Sequence, residues 1–143
     1  MSSKPKVYFF FKTEVSSLRN RNSLKNYIIG VFKKEAKTLE TLNFIFCSDS
    51  ELLQMNKEYL KHDYYTDIIT FNLADDALPI VAEVYISFDR VKDNAHQQNV
   101  SIKSELHRVI FHGILHLCGY KDKTRDEKKA MRIKEDYYLN RYL

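Results

Sequence analysis

Apolar and polar positions along the chain fall into short stretches of two different periods. Val7 to Lys12 is an aromatic-rich run between Lys4-Pro5 and the polar Ser16-Ser17, and it predicts an opening strand. From Leu24 the period changes. Tyr27, Ile28, Val31, Phe32, Ala36 and Leu39 recur at steps of three and four, with Lys25, Lys33, Lys34 and Lys37 mostly on other faces, which predicts an amphipathic helix. Leu42 to Cys47 predicts a second strand, and Ser48-Asp49-Ser50 with Glu51 supplies N-cap chemistry for a helix carrying Leu52, Leu53, Met55 and Tyr59. Asp67 to Phe71 predicts a third strand, Asp75-Asp76 a turn, and Ile80 to Phe88 a fourth strand. Asp89 or Asp93 then opens a short polar helix.

Ser101 to Cys118 carries Ile102, Leu106, Val109, Ile110, Ile114, Leu115 and Leu117, the pattern of a helix largely enclosed by others, and Gly119 is placed to end it. Thr124 with Glu127 forms a capping box for a last helix from Arg125 to about Asn140. The order strand, helix, strand, helix, strand, strand, helix, helix, helix predicts one α+β domain over residues 1–143, a small mixed four-stranded sheet covered by helices. Glu83 in the middle of the fourth strand faces either solvent or a site.

Composition narrows the class. Only 3 Gly and 2 Pro stand against 10 Tyr and 9 Phe, which excludes collagen-like and disordered chains. No apolar run approaches the ~20 residues of a membrane helix. Met1 to Lys6 has a basic start without the apolar stretch of a signal peptide, so the expected place is the cytoplasm. Cys47 and Cys118 have no CxxC spacing and are expected to be buried thiols. The net charge of +4 is unevenly spread: residues 1–38 hold nine Lys/Arg against two Asp/Glu, residues 39–100 four against eleven, and residues 121–143 eight against five. Basic ends around an acidic middle are compatible with a polyanionic partner, although charge alone favours the plainer reading of solvated helix faces.

His112 and His116 carry the candidate chemistry. Four residues apart on a helix, they lie ~40° apart in azimuth and ~6 Å along the axis, so both imidazoles can reach one ion. Past Gly119 the chain can fold back, and Asp122 can supply a third, anionic ligand, giving H-x-x-x-H-x-x-G-x-x-D. Three protein ligands leave a position for water, as in catalytic rather than structural zinc sites. His107 projects ~140° away from His112 and is left out, and His62 and His96 sit in polar surroundings. The spacing invites comparison with zinc peptidases, but the glutamate of H-E-x-x-H is here Gly113, and Glu105 is too far along the helix to replace it. Attack on a phosphodiester does not need that base, because positioning and charge neutralisation dominate there.

These residues resemble the YbeY family of bacterial single-strand-specific metallo-endoribonucleases. His112-Gly113-Ile114-Leu115-His116-Leu117-Cys118-Gly119-Tyr120 is similar to the family's H-G-x-L-H-L-x-G-Y signature, with Asp122 in the place of its third zinc-binding histidine. Asn56-Lys57-Glu58-Tyr59, then Asp63 and Thr66-Asp67-Ile68-Ile69-Thr70-Phe71, resemble its N-x-x-Y-R, D and P-T-D-V-L-S-F blocks, and Glu83 to Ser87 its G-D-I-x-I-S strand. The resemblance covers about residues 50 to 125. It implies a zincin-like metal-binding helix, one Zn2+ held by His112, His116 and Asp122, and processing of the 3′ end of small-subunit ribosomal RNA with a part in ribosome quality control. The implied partners are single-stranded RNA, ribosomal RNA and the small ribosomal subunit, with no DNA and no membrane.

Two departures matter. Asp122 for histidine lowers the charge of a divalent site by one, which makes bound water less acidic and favours harder ions somewhat, zinc remaining the first choice. Leu60 stands where the family has a basic residue, and Lys61 is the nearest substitute. Further RNA-binding candidates are Lys121, Lys123 and Arg125, beside Lys128, Lys129 and Arg132 on the same helix, and Tyr64, Tyr65 and Tyr120 for stacking on bases. The general acid or base stays open among Glu83, Asp67 and the phosphate itself. The alternative function is a ribosome-assembly or RNA-binding factor whose metal is structural.

Overall fold

Side-chain caps set the starts of four of the five helices. In the computed structural model, which describes residues 4–75 and 79–143, the elements are β1 (Lys6–Phe11), α1 (Arg21–Lys34), β2 (Leu39–Cys47), α2 (Asp49–Leu60), β3 (Ile68–Asn72), β4 (Ile80–Ser87), α3 (Phe88–Gln98), α4 (Ile102–Leu117) and α5 (Arg125–Tyr142). Ser48 and Thr124 make full capping boxes with Glu51 and Glu127, and Ser101 accepts from the Ser104 N–H at 3.0 Å.

The sheet order is β1-β2-β4-β3, with β1, β2 and β4 parallel and β3 antiparallel to β4, the mixed four-stranded sheet expected from the element order. One face carries Val7, Leu42, Phe44, Phe46, Ala82, Val84 and Ile86 into the main core, with Leu24, Ile28 and Phe32 of α1, Ile110 and Ile114 of α4, and Met131 and Tyr138 of α5. Fully burying each Val, Leu, Ile, Phe or Met side chain among them contributes about 1.5–3 kcal/mol. The other face is covered in part by α2, through Leu52 and Met55 against Cys47, Ile69, Phe71 and Tyr85.

Two boundaries differ from the periodicity. The first helix ends at Lys34 rather than running to Leu39. Ala36 adopts φ 58, its N–H reaches the Lys33 carbonyl at 3.0 Å, and the Lys37 N–H reaches that of Phe32 at 2.9 Å. That closure normally uses glycine, so nothing in the sequence marked it, and Leu39 opens β2 instead. Phe88 starts α3 rather than ending β4, because the cap is Ser87, whose Oγ accepts from the Arg90 N–H at 3.1 Å, and not Asp89 or Asp93. Asp76 of the expected turn and Met1 to Ser3 lie outside the described residues. Among the described residues no helix is long and apolar enough to cross a membrane. Cys47 and Cys118 are buried and unpaired with each other.

Candidate active-site cleft

α4 reaches the sheet without a side chain between them at Gly113. A Cβ there would lie 2.9 Å from Ile68 Cδ1 and 3.3 Å from Val84 Cγ1. Glycine thus lets α4 sit close on β3 and β4, and any side chain there presses on Ile68 and Val84. The general base of H-E-x-x-H is absent from this position. At the other end Gly119, at φ 106, turns the chain back, with its N–H on the His116 carbonyl at 3.0 Å. That turn carries Asp122 to His112, its carboxylate Oδ2 lying 3.2 Å from His112 Nε2.

Both histidines are held through Nδ1. His112 Nδ1 donates to Oε2 of the buried Glu135 at 2.6 Å. Glu135 Oε1 in turn accepts from Arg108 at 3.1 Å, and the same guanidinium donates to Asp136 at 2.7 Å. His116 Nδ1 lies 3.1 Å from the Tyr120 carbonyl oxygen. A carbonyl only accepts, so in that contact His116 Nδ1 is the donor and its Nε2 is the nitrogen left to face the cavity side of the ring. Burial pulls the His112 imidazolium down, but the hydrogen bond and charge of Glu135, with Asp122 and Asp67, outweigh it and raise the group's pKa.

Tyr120 is itself anchored. Its hydroxyl donates to Glu35 Oε1 at 2.7 Å, and Glu35 Oε2 also accepts from Lys134 at 3.2 Å and from the Tyr138 hydroxyl. The end of α1, α5 and the turn after α4 are thereby joined at one carboxylate. Tyr120 is a structural link, not an exposed stacking surface.

Two cavities meet at Asp67, Ile68, His112 and Asp122. One, about 400 Å³, runs along α5 past Glu105, Arg108, Lys128 and Arg132. The other, about 490 Å³, runs toward α2 past Leu60, His62, Tyr64, Thr66, His116 and Lys123. The loop before β3 is fixed there by the buried Asn56, which donates to the Tyr64 carbonyl at 2.8 Å. His62 and Tyr64 stack at 5.1 Å between centroids, with Tyr64 exposed. Burial raises the Asp67 carboxyl, the His112 charge opposing it, and burial with the Asp67 charge raises Glu105.

Of the residues singled out in the sequence, His112 and Asp122 are in contact, His116 shares their cavity, and Lys123 and Asp67 line it. Lys61, Lys121 and Arg125 are exposed outside these two cavities. Tyr65 lies under the Arg90 guanidinium. Glu83 points to the opposite sheet face, where it accepts from the Tyr85 hydroxyl at 3.2 Å beside Met55 and Phe71, so it does not belong to the cleft. His107 is buried with Nδ1 2.7 Å from the Lys103 carbonyl, and burial lowers its pKa. Glu135 and Arg108 were missed. The legible signal was a carboxylate four residues after Met131, on the buried stripe that continues with Tyr138 and Leu139.

Among the described residues no three His, Cys, Asp or Glu side chains are gathered as a finished metal shell. The donor set still has the chemistry that zinc takes: two imidazoles, each anchored through Nδ1 by a carboxylate or a carbonyl, and one carboxylate.

The family model for Endoribonuclease YbeY matches residues 11–143. A protein of Cytophaga hutchinsonii named Endoribonuclease YbeY is 51% identical over 138 residues, covering 96% of each chain. One of the same name from Amoebophilus asiaticus is 43% identical, covering 95% of this chain and 92% of that one. The solution structure of a Thermotoga maritima protein superposes with a TM-score of 0.67 at 28% identity, over 95% of this chain and 88% of that one. The class is that of hydrolases that cut RNA internally. The chain belongs to the endoribonuclease YbeY family.

Proposed function

We propose that the protein is a zinc-dependent, single-strand-specific endoribonuclease that matures the 3′ end of small-subunit ribosomal RNA and serves ribosome quality control, acting on the small subunit in the cytoplasm. The observation that carries the zinc reading is the shared orientation of His112 and His116: each is anchored through Nδ1, and Asp122 closes on His112 Nε2 at the junction of the two cavities. A divalent ion held by these three residues would supply an activated water and neutralise phosphate charge.

The chain's own residues account for the rest. Glu135, braced by Arg108, fixes the His112 ring and tautomer. Asp67, which lines both cavities, is the carboxylate placed to hold or release a proton at a substrate oxygen. The exposed Tyr64, stacked on His62, offers a face to an unpaired base, which supports the single-strand preference, and Lys123 lies beside it for a phosphate. Lys61, Lys121 and Arg125 flank the cleft as outer contacts.

The test is cleavage by the zinc-loaded protein of a 3′-extended small-subunit precursor, compared with the same RNA paired to a complementary strand. Cutting of the single strand alone is the expected result. Binding without cutting, together with loss of fold on removing zinc, would replace this reading with that of an assembly factor with a structural metal.

A further inference from the structure

The cavity along α5 is walled by three cations whose engagement differs. Arg108 is held by Glu135 and Asp136 at 3.1 and 2.7 Å and braces His112. Lys128 and Arg132 stand four residues apart, so one face of α5 turns both toward the cavity that contains Asp67, His112 and Asp122. Among the described residues neither is held in an ion pair or side-chain hydrogen bond, and both are exposed. Lys129, their neighbour, does not line the cavity. Sequence alone could not separate these lysines and arginines, because a basic helix face is more often solvated than bound.

The opposite wall explains why a cation is needed on α5. Where α2 reaches the cleft it presents Leu60, while Lys61, at the left-handed C-cap of that helix with φ 59, does not line it. Asp67, Glu105 and Asp122 meanwhile place carboxylates around His112. A phosphate chain entering the junction therefore meets acidic groups at its centre and no cation from the end of α2. The two free cations of α5 are positioned to offset that from the α5 side, as Lys123 is from the cavity toward α2.

We infer that Lys128 and Arg132 grip backbone phosphates of the RNA next to the reacting phosphodiester, and that the substrate strand thus runs along α5 before crossing His112 and Asp122. This rests on the ribonuclease reading above. The grip is electrostatic, so its signature is salt dependence and not sequence preference.

The experiment measures equilibrium binding of a 5′-fluorescent single-stranded oligoribonucleotide to the full chain over a salt series, with initial cleavage rates in parallel. Lys128→Gln with Arg132→Gln should make the dependence of log affinity on log salt shallower by about 1.4, two contacts at about 0.7 each on a single strand. KM should rise with kcat within about twofold, as expected when uniform binding is lost. Lys33→Gln with Lys37→Gln removes the same charge away from the cavity and should keep the wild-type slope. Lys128→Arg with Arg132→Lys should also keep it, which guards against a folding defect in the first pair. An unchanged slope in the glutamine pair, or an equal loss in the Lys33 and Lys37 pair, overturns the inference while cleavage by the wild type leaves the ribonuclease reading standing. A wild-type chain that binds no RNA overturns both, and one that binds with the predicted slopes but does not cut overturns the ribonuclease reading alone.

Discussion

His112 Nδ1 and Glu135 Oε2 lie 2.6 Å apart although 23 residues separate them in the chain. The contact ties the signature helix α4 to α5 and aims the other ring nitrogen at Asp122. Glu135→Gln keeps the side chain's shape and removes its charge. Zinc affinity should fall about 10–100-fold, the usual cost of losing such a partner. Competition titration against a chelator checks this; an unchanged affinity would mean that Glu135 serves only the α4–α5 packing.

Gly113 is favoured by its close contact with Ile68 and Val84. Gly113→Glu writes H-E-x-x-H into the chain but must displace Ile68 and Val84. We expect a loss of about 1–3 kcal/mol from overpacking, with more from the buried carboxylate, and no peptidase activity. Urea midpoints and a casein assay decide it.

Glu35 gathers Tyr120, Tyr138 and Lys134, and its side chain is only 9% exposed. Burial pushes its carboxyl up, but hydrogen bonds from Tyr138, Tyr120 and Lys134 outweigh this and hold it below the ordinary value of 4.5. A depressed carboxyl stabilises above its unfolded pKa and loses that contribution as pH falls through the folded value. Glu35→Gln should therefore cost about 1–3 kcal/mol at pH 7, and the difference from wild type should shrink as the pH is taken below about 4.5. Denaturation midpoints across about pH 3–7, which spans the carboxylate range, measure it.

The thiols should be silent. Burial, with the Glu51 charge, pushes Cys47 up to about 11, and burial with the Glu35 charge pushes Cys118 to about 12. Because the thiolate is the nucleophile, iodoacetamide at about pH 8 should modify neither in the folded protein and both in urea. Folded thiols keep their protons longer than unfolded ones, so these two groups lower stability as pH rises above their ordinary value of 9.0.

Much of this was legible because capping and periodicity act locally. Ser48, Ser101 and Thr124 announce their helices, and the step from His112 to His116 to Asp122 follows from one helix and one glycine. What escaped depends on partners brought in by the fold. Ala36 takes a left-handed turn that packing imposes on a residue with no preference for it, and this shifted the start of β2. Glu83 looked like a candidate acid until the strand register turned it to the face away from α4. Glu135 and Arg108 reach His112 only across the α4–α5 contact, and the basic residues of α5 are distinguished only by which of them the cavity meets.

The most direct test of the account pairs elemental analysis with cleavage of single-stranded RNA for the wild type, His112→Ala and Asp122→Ala. The account predicts about one zinc per wild-type chain, as in a three-ligand catalytic site, and loss of both metal and cleavage in each variant. Folded wild-type protein that cuts RNA equally well after its metal has been stripped would contradict it.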